Sequence, residues 1–357
     1  MSTSRDLLDA ARADVESGWL PSCQLAVARD GELVVFETFG DATNDSRYCI
    51  FSCTKPIVAS AVWLLIGDGV LDVSRPVAEY VPEFAENGKG AVTVEQVMLH
   101  TAGFPNAAMP GLDGGDAHLR RARFAEWQLE WEPGSRFEYH ATSAHWVLAD
   151  LIERLSGLDF RDFVERRVFE PLGLPRLLGI AESDQDHIAS LVEVGDGPTN
   201  DPSNELFLWL DQPEARALGV PGGGAVMRAA DLALFYQALL HNPGDLWDAA
   251  VLDDAKTNVR SVLPDNLLHV PVNRTLGLVY AGDDGQHFVR YGSFGVENSP
   301  RSFGHAGAHG HVGWADPASG LSFAYCTNGL DRDMIKEAIR GLNLSKLAAT
   351  LSAEDLE

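Results

Sequence analysis

Apolar residues fall at helical spacing over residues 7–15, with Asp9, Asp14 and Glu16 on the polar side, so the chain opens on an amphipathic helix. After Gly18 and Pro21 the period changes. Residues 24–29 and 32–37 are short apolar runs joined by Asp30-Gly31, a dipeptide suited to the left-handed turn of a hairpin. Residues 55–68 read as a buried helix closed by Gly67-Asp68-Gly69, and residues 94–99 as a short helical piece. Further helices are expected at 143–155 and at 160–168, the latter ended by Pro171-Leu172-Gly173, and again at 229–240. Residues 184–204 are polar and turn-rich, which predicts surface loops. Strand-like runs return at 276–280, 288–291, 311–315 and 321–326, before a last helix over about 332–348.

Strands at both ends with helices between them predict an α+β fold, an antiparallel sheet flanked by helices with an inserted mostly helical lobe. The expected division is residues 1–57 plus 225–357 for the α+β lobe and 58–224 for the helical one, with the active site in the cleft between them. No repeat of 20–50 residues interrupts this reading.

Composition narrows the function classes. The 357 residues carry 27 Lys plus Arg against 52 Asp plus Glu, a net charge of −25, with no segregated basic stripe. Such a surface repels phosphate backbones, so neither a nucleic-acid nor a membrane partner is expected. The start lacks the basic residues and unbroken apolar stretch of a secretory signal. Four cysteines, Cys23, Cys49, Cys53 and Cys326, make no disulfide framework in a chain this long. A cytoplasmic protein with free thiols is the simplest expectation.

Three segments carry candidate chemistry. In Ser52-Cys53-Thr54-Lys55, spacing of three on a helix sets a hydroxyl beside an amine. Serine becomes nucleophilic when a neighbouring base takes its proton, and burial among Ile50, Phe51, Ile57 and Val58 would lower the lysine pKa enough to make it that base. With 22 Ser and 5 Lys in the chain, roughly 0.3 such pairs arise by chance, and an exposed lysine behind a helix cap is the competing reading. Tyr139, in Pro133-Gly134-Ser135-Arg136-Phe137-Glu138-Tyr139, sits in a loop before the helix at 143 and could shuttle a proton beside a lysine. An isolated tyrosine, though, more often packs its ring and wets its hydroxyl.

Phe303-Gly304-His305-Ala306-Gly307-Ala308-His309-Gly310-His311 precedes a strand, and its glycines permit close backbone approach to a ligand. Backbone N–H groups there could hold a negative oxygen. A metal bound by His305, His309 and His311 is the rival, weakened by the lack of an accompanying carboxylate–His helix motif or cysteine pair. Pro221-Gly222-Gly223-Gly224 lacks the Lys-Ser/Thr of a phosphate loop and reads as a tight turn beside the cleft.

In this order, Ser-x-x-Lys, Tyr and His-x-Gly resemble the penicillin-recognising serine hydrolases, nearest to the class C β-lactamase-related esterases and peptidases. The likeness runs over about residues 24–328. It includes Val97-Met98-Leu99-His100-Thr101-Ala102-Gly103, similar to the family's Leu-Leu-x-His-Thr-Ser-Gly, and Phe169-Glu170-Pro171-Leu172-Gly173-Leu174. The resemblance implies a β-lactamase/DD-peptidase-like fold. By it, Ser52 is the acylated nucleophile, Lys55 its proton acceptor and Tyr139 the residue that assists proton transfer. His305, Ala306 and Gly307 take the place of Lys-Thr-Gly, with His305 counted as catalytic. Ala306, Gly307 and His140 contact substrate, and the backbone N–H groups of Ser52 and Ala308 form the oxyanion hole. Cys49 and Cys53 are read as packing thiols.

Two departures from the family pattern bear on the substrate. Tyr139-His140-Ala141 lacks the asparagine of Tyr-x-Asn that helps hold the lysine, and His305-Ala306 lacks the fixed cation and hydroxyl suited to a β-lactam carboxylate. The expected activity is therefore hydrolysis of a small uncharged carboxylic ester through an acyl-serine, without cofactor or metal. A D-amino-acid amidase or peptidase, an acyltransferase or a weak β-lactamase would use the same acyl-enzyme. A catalytically silent binding protein of this fold is the non-enzymatic alternative.

Overall fold

The computed structural model describes residues 2–195, 202–290 and 294–352. Helix α1 (Ser4–Glu16) starts at Thr3, whose hydroxyl accepts the Asp6 N–H at 3.2 Å while Asp6 accepts the Thr3 N–H at 2.8 Å. This reciprocal cap satisfies two donors that a helix start otherwise leaves open. Strands β1 (Ser22–Arg29) and β2 (Glu32–Gly40) form the expected hairpin, with Asp30 and Gly31 at φ 51° and 83° in its turn. Helix α2 (Thr54–Gly67) is buried from Thr54 through Leu65, which is why its sequence is apolar all round. Helices α3 (Ser143–Ser156), α4 (Pro202–Leu210) and α5 (Ala229–His241) follow. The chain then returns through β3 (Val279–Tyr280), β4 (Phe303–Ala306), β5 (Val312–Asp316) and β6 (Leu321–Thr327) to α6 (Met334–Ala349).

These strands form one sheet in the order β2-β1-β6-β5-β4-β3, antiparallel at every pairing. The central strands are covered on both faces, so they alternate in side-chain size instead of polarity, whereas β2 at the edge is partly exposed. Leu25, Val27, Trp314, Phe323 and Tyr325 face α1 and α6, where they meet Leu7, Ala11, Leu344 and Ala348. Ala26, Ala28, Ala315, Ala324 and Cys326 lie on the other side, in the same apolar cluster as Leu232 and Tyr236 of α5. Small residues let that helix approach closely. At Gly313 a β-carbon would stand 3.1 Å from Leu232 Cδ2 and overlap the Tyr236 ring. The same cluster continues through Val58 and Val62 of α2 to Trp146 and Leu148 of α3, so the sheet and the helical stretch share one core.

Several segments differ from the sequence reading. Residues 288–290 form a turn in which Val289 N–H reaches Gln286 O at 3.2 Å, while Phe288 and Val289 remain exposed; Tyr291 lies outside the described residues. The strand role falls instead to β4, whose Gly304-His305-Ala306 has too little β-branched or aromatic character to announce one. Within 184–204, Val192–Val194 pairs in parallel with Gly329–Asp331, and α4 begins at Pro202; residues 196–201 lie outside the described residues. The helix expected over 160–168 is α-helical only for Phe160–Val164 and continues as a π turn over Glu165–Phe169. Among the described residues no helix is long and apolar enough to cross a membrane.

The tight seat of α5 on the sheet yields a stability test. Gly313→Ala must displace the buried Tyr236 ring and should cost about 1–3 kcal/mol, read as a lower urea midpoint. An unchanged midpoint would mean that the α5–sheet contact is looser than described.

Candidate active site

The nucleophile candidate is held in a strained turn. Phe51 adopts φ 46°, a left-handed backbone that bulky residues rarely take, and a single 3-10 turn over Phe51–Cys53 leads into α2. Ala225 braces the turn on both sides: its carbonyl accepts Ile50 N–H at 3.0 Å, and its N–H donates to Thr54 Oγ1 at 3.0 Å. The exit of β4 comes up against this turn. A β-carbon at Gly307 would run into the Ile50 carbonyl and stand 2.8 Å from His311 Cβ and 3.4 Å from Cys53 Sγ, so only glycine permits the approach. The Cys53 thiol donates to His305 O at 3.4 Å across the same seam. Ser52 and Ala308, each next in the chain to a residue of this seam, are both partly exposed.

Lys55 lies beneath Ser52 and is almost wholly buried. Its Nζ is 3.0 Å from Ser52 Oγ, 2.7 Å from the Ala141 carbonyl and 2.6 Å from the Gly222 carbonyl. Burial, with the nearby Arg274 guanidinium second, drives its pKa well below the ordinary lysine value. The amine donates to both carbonyls and lies within hydrogen-bond reach of the Ser52 hydroxyl. The anchoring asparagine missing from the Tyr-x-Asn position is thus replaced by main chain. Gly222 makes this possible, because a β-carbon there would stand 2.9 Å from the Ala141 carbonyl and 3.5 Å from His145 Cβ. The glycine-rich turn at 221–224 contributes a lysine acceptor as well as a bend.

Tyr139 is half-buried beside this pair, with Lys55 Nζ 4.9 Å from its ring centroid. Arg274, which carries no sequence motif, has its guanidinium carbon 5.5 Å from the same centroid and 5.7 Å from that of Phe137. Arg274 pairs with both Ser261 and Val279, bridges that tie its segment to the β3 edge. The neighbouring Leu276 carbonyl accepts Trp63 Nε1–H from α2 at 2.8 Å. Arg274 therefore brings a guanidinium to this side of the site from another strand edge.

His305 and His140 both lie in the interior. His305 is fully buried; its Nε2 accepts from Arg274 Nη1 at 3.1 Å and its Nδ1 bonds Ala306 O at 2.6 Å. Both ring nitrogens are thus engaged in the interior, one of them with Arg274. His140, expected to bind substrate, is also fully buried. It accepts Phe104 N–H at Nε2 (3.1 Å) and bonds Glu138 O through Nδ1 (2.6 Å), pinning the segment that carries Tyr139 and Ala141. Ala306 and Gly307 are likewise buried, and contribute backbone shape.

Sequence reasoning gave His100 and His145 no role. The His140 N–H donates to His100 Nδ1 at 3.2 Å, and the His100 ring lies 4.7 Å from Tyr139 and 6.0 Å from His145. Burial holds the pKa values of His100, His145 and His305 well below the ordinary histidine value, with the charges of Arg274 and Lys55 adding to it. His100 belongs to the His-Thr-Ala-Gly stretch already noted, a signal that had been read only as family likeness. No cluster of three or more His, Cys, Asp or Glu side chains suited to a metal exists among the described residues.

Comparison with known proteins agrees with this geometry. The family described as Beta-lactamase matches residues 7–346. The Mycobacterium tuberculosis protein named Esterase/beta-lactamase LipL is 29% identical over 347 residues, covering 86% of this chain and 76% of its own. Two solved structures superpose with a TM-score of 0.79 at 24% identity. EstA from Arthrobacter nitroguajacolicus Rue61a aligns over 100% of this chain and 99% of its own. A family VIII carboxylesterase aligns over 96% and 97%. At that identity the two structures speak for the fold.

The buried imidazoles make stability depend on pH. Their folded pKa values lie below the ordinary 6.5: burial takes His140 down to about 4 and His311 to about 3. Below pH 6.5 the unfolded chain therefore binds more protons than the folded one, and stability falls as pH drops. Each ring contributes up to about 1.4 kcal/mol per pH unit until its folded pKa is reached. The urea midpoint should decline steadily from pH 7 to pH 5. A flat profile would mean the rings take up protons inside the fold.

Proposed function

The chain belongs to the Beta-lactamase family, matched over residues 7–346, and on that footing we propose that it is a serine hydrolase cleaving carboxylic esters through an acyl-Ser52 intermediate. The observation that carries the reading is the buried Lys55 amine 3.0 Å from Ser52 Oγ, held there by the main-chain carbonyls of Ala141 and Gly222 at 2.7 and 2.6 Å. The esterase named among its relatives supports the substrate class.

In this mechanism Ser52 Oγ attacks the ester carbonyl as its proton passes to Lys55 Nζ. The oxygen of the tetrahedral intermediate gains negative charge, and the N–H groups of Ser52 and Ala308 stabilise it. Collapse breaks the bond to the alcohol oxygen, which takes a proton by way of Tyr139 from the Lys55 ammonium. Water then enters where the alcohol left, gives up its proton by the reverse route and releases the acid. The Arg274 charge disfavours the protonated form of Lys55, which keeps the amine available as a base before the first step and makes its ammonium a readier proton donor to the alcohol.

Two further points belong to this reading. The four cysteines are free and buried, which suits a reducing compartment such as the cytoplasm. The relatives named Putative D-alanyl-D-alanine carboxypeptidase favour a second activity, cleavage of D-amino-acid amides, and turnover of matched ester and amide substrates separates the two.

Ser52→Ala should remain folded and lose hydrolysis of a chromogenic short-chain ester, while the wild type gains one acyl mass on Ser52; full activity in the variant would end the proposal. Arg274→Met should move the acid limb of kcat/KM to higher pH, because without the guanidinium Lys55 holds its proton more tightly. Arg274→Lys, which keeps the charge, should leave that limb near its original position. A limb indifferent to both changes would separate Arg274 from the base.

A further inference from the structure

A cavity of about 440 Å³ adjoins Tyr139, lined by Phe137, Glu138, Arg274 and the turn Asp265-Asn266-Leu267-Leu268. The turn is firmly built. Asp265 N–H donates to Val270 O at 2.9 Å and His269 N–H to Asp265 O at 2.9 Å, with Pro264 bridged to Pro271 below. The Asp265 carboxylate accepts the N–H groups of Leu267 and Leu268 at 2.7 and 2.9 Å. Asn266 Nδ2 reaches across to Glu138 at 2.9 Å, tying the turn to the segment that carries Tyr139. This rigid turn presents two leucines to water, Leu267 79% exposed and Leu268 39%. Exposed apolar side chains on a braced turn at the edge of a reactive cleft mark a binding surface.

Resting on the esterase reading, we propose that this cavity holds the alcohol half of the substrate, and that the enzyme selects esters of bulky, uncharged, hydrophobic alcohols. A group that protonates a departing oxygen must lie within hydrogen-bond reach of it. Tyr139 is that group and also forms a wall of this cavity, so the alcohol leaves into it. Phe137, Leu267 and Leu268 supply the hydrocarbon contacts. The charged groups around it are already occupied. Glu138 is bonded to Arg136 and Asn266, Asp265 caps its own turn, and Arg274 donates to His305. The carboxylates of Glu138 and Asp265 on the rim also disfavour an anionic alcohol.

The test holds the acyl group constant as acetate and varies the alcohol between ethanol and 2-cyclohexylethanol, whose leaving tendencies are close. The wild type should favour 2-cyclohexylethyl acetate at least tenfold in kcat/KM, and also favour it over an acetate ester of a carboxylate-bearing alcohol of similar length. In the double variant Leu267→Ser/Leu268→Ser the preference over ethyl acetate should fall at least tenfold. A preference unchanged in the variant, or faster cleavage of the carboxylate-bearing ester, overturns the assignment while leaving the esterase intact. Calorimetric binding of 2-cyclohexylethanol to Ser52→Ala reads the cavity without turnover. If no ester is cleaved, the esterase reading falls. Binding that weakens at least tenfold with the leucines replaced then upholds an apolar site here, and absence of binding overturns it.

Discussion

A lysine amine buried in a dry site needs hydrogen-bond partners on every side. Lys55 obtains them from three separated stretches of chain: the Ser52 hydroxyl at the mouth of its own helix, the Ala141 carbonyl and the Gly222 carbonyl. Each carbonyl would be costly to bury unpaired, by about 1–3 kcal/mol, so lysine and main chain stabilise one another's burial. Much of the surrounding architecture follows from this requirement. The segment bearing Tyr139 is pinned by His140, the glycine turn lies flat against Ala141, and α2 is sheathed in apolar residues from Thr54 through Leu65.

The sheet serves the same end from the other side. Alternation of large and small residues lets α1 and α6 pack over one face and α5 sit very close on the other. β4 then projects from the sheet toward the nucleophile turn, and Gly307 allows its backbone to touch the Ile50 carbonyl. Strain in the turn, with Phe51 at φ 46°, is tolerated because Ala225 and Gly307 clamp it from two directions. Reactivity thus rests on backbone packed against backbone, a contact in which each methyl group matters.

Electrostatics complete the arrangement. Arg274, bonded to a neutral His305, brings positive charge close to Lys55 without placing an acid beside it. Burial, with the Arg274 guanidinium nearby, disfavours charge on the imidazoles of His100, His145 and His305. They line the back of the site with polar but neutral rings, and the same choice makes the fold sensitive to acid.

The order of elements and the Ser52, Lys55 and Tyr139 candidates were legible in the chain, because helix periodicity, hairpin turns and a three-residue spacing are local properties. So was the glycine at 307, although not the carbonyl it would meet. What stayed hidden was non-local. Arg274 bears no motif and reaches the site only through its bridges to Ser261 and Val279 at the sheet edge. The Ala141 carbonyl replaces an asparagine by means of main chain, which no residue letter records. His140, read as a substrate contact, and His305, read as catalytic, both lie in the interior, where their hydrogen-bond partners are. Local spacing sets which groups are near neighbours along the chain. Only the packed structure decides which of them are dry, which are charged and which remain open to a substrate.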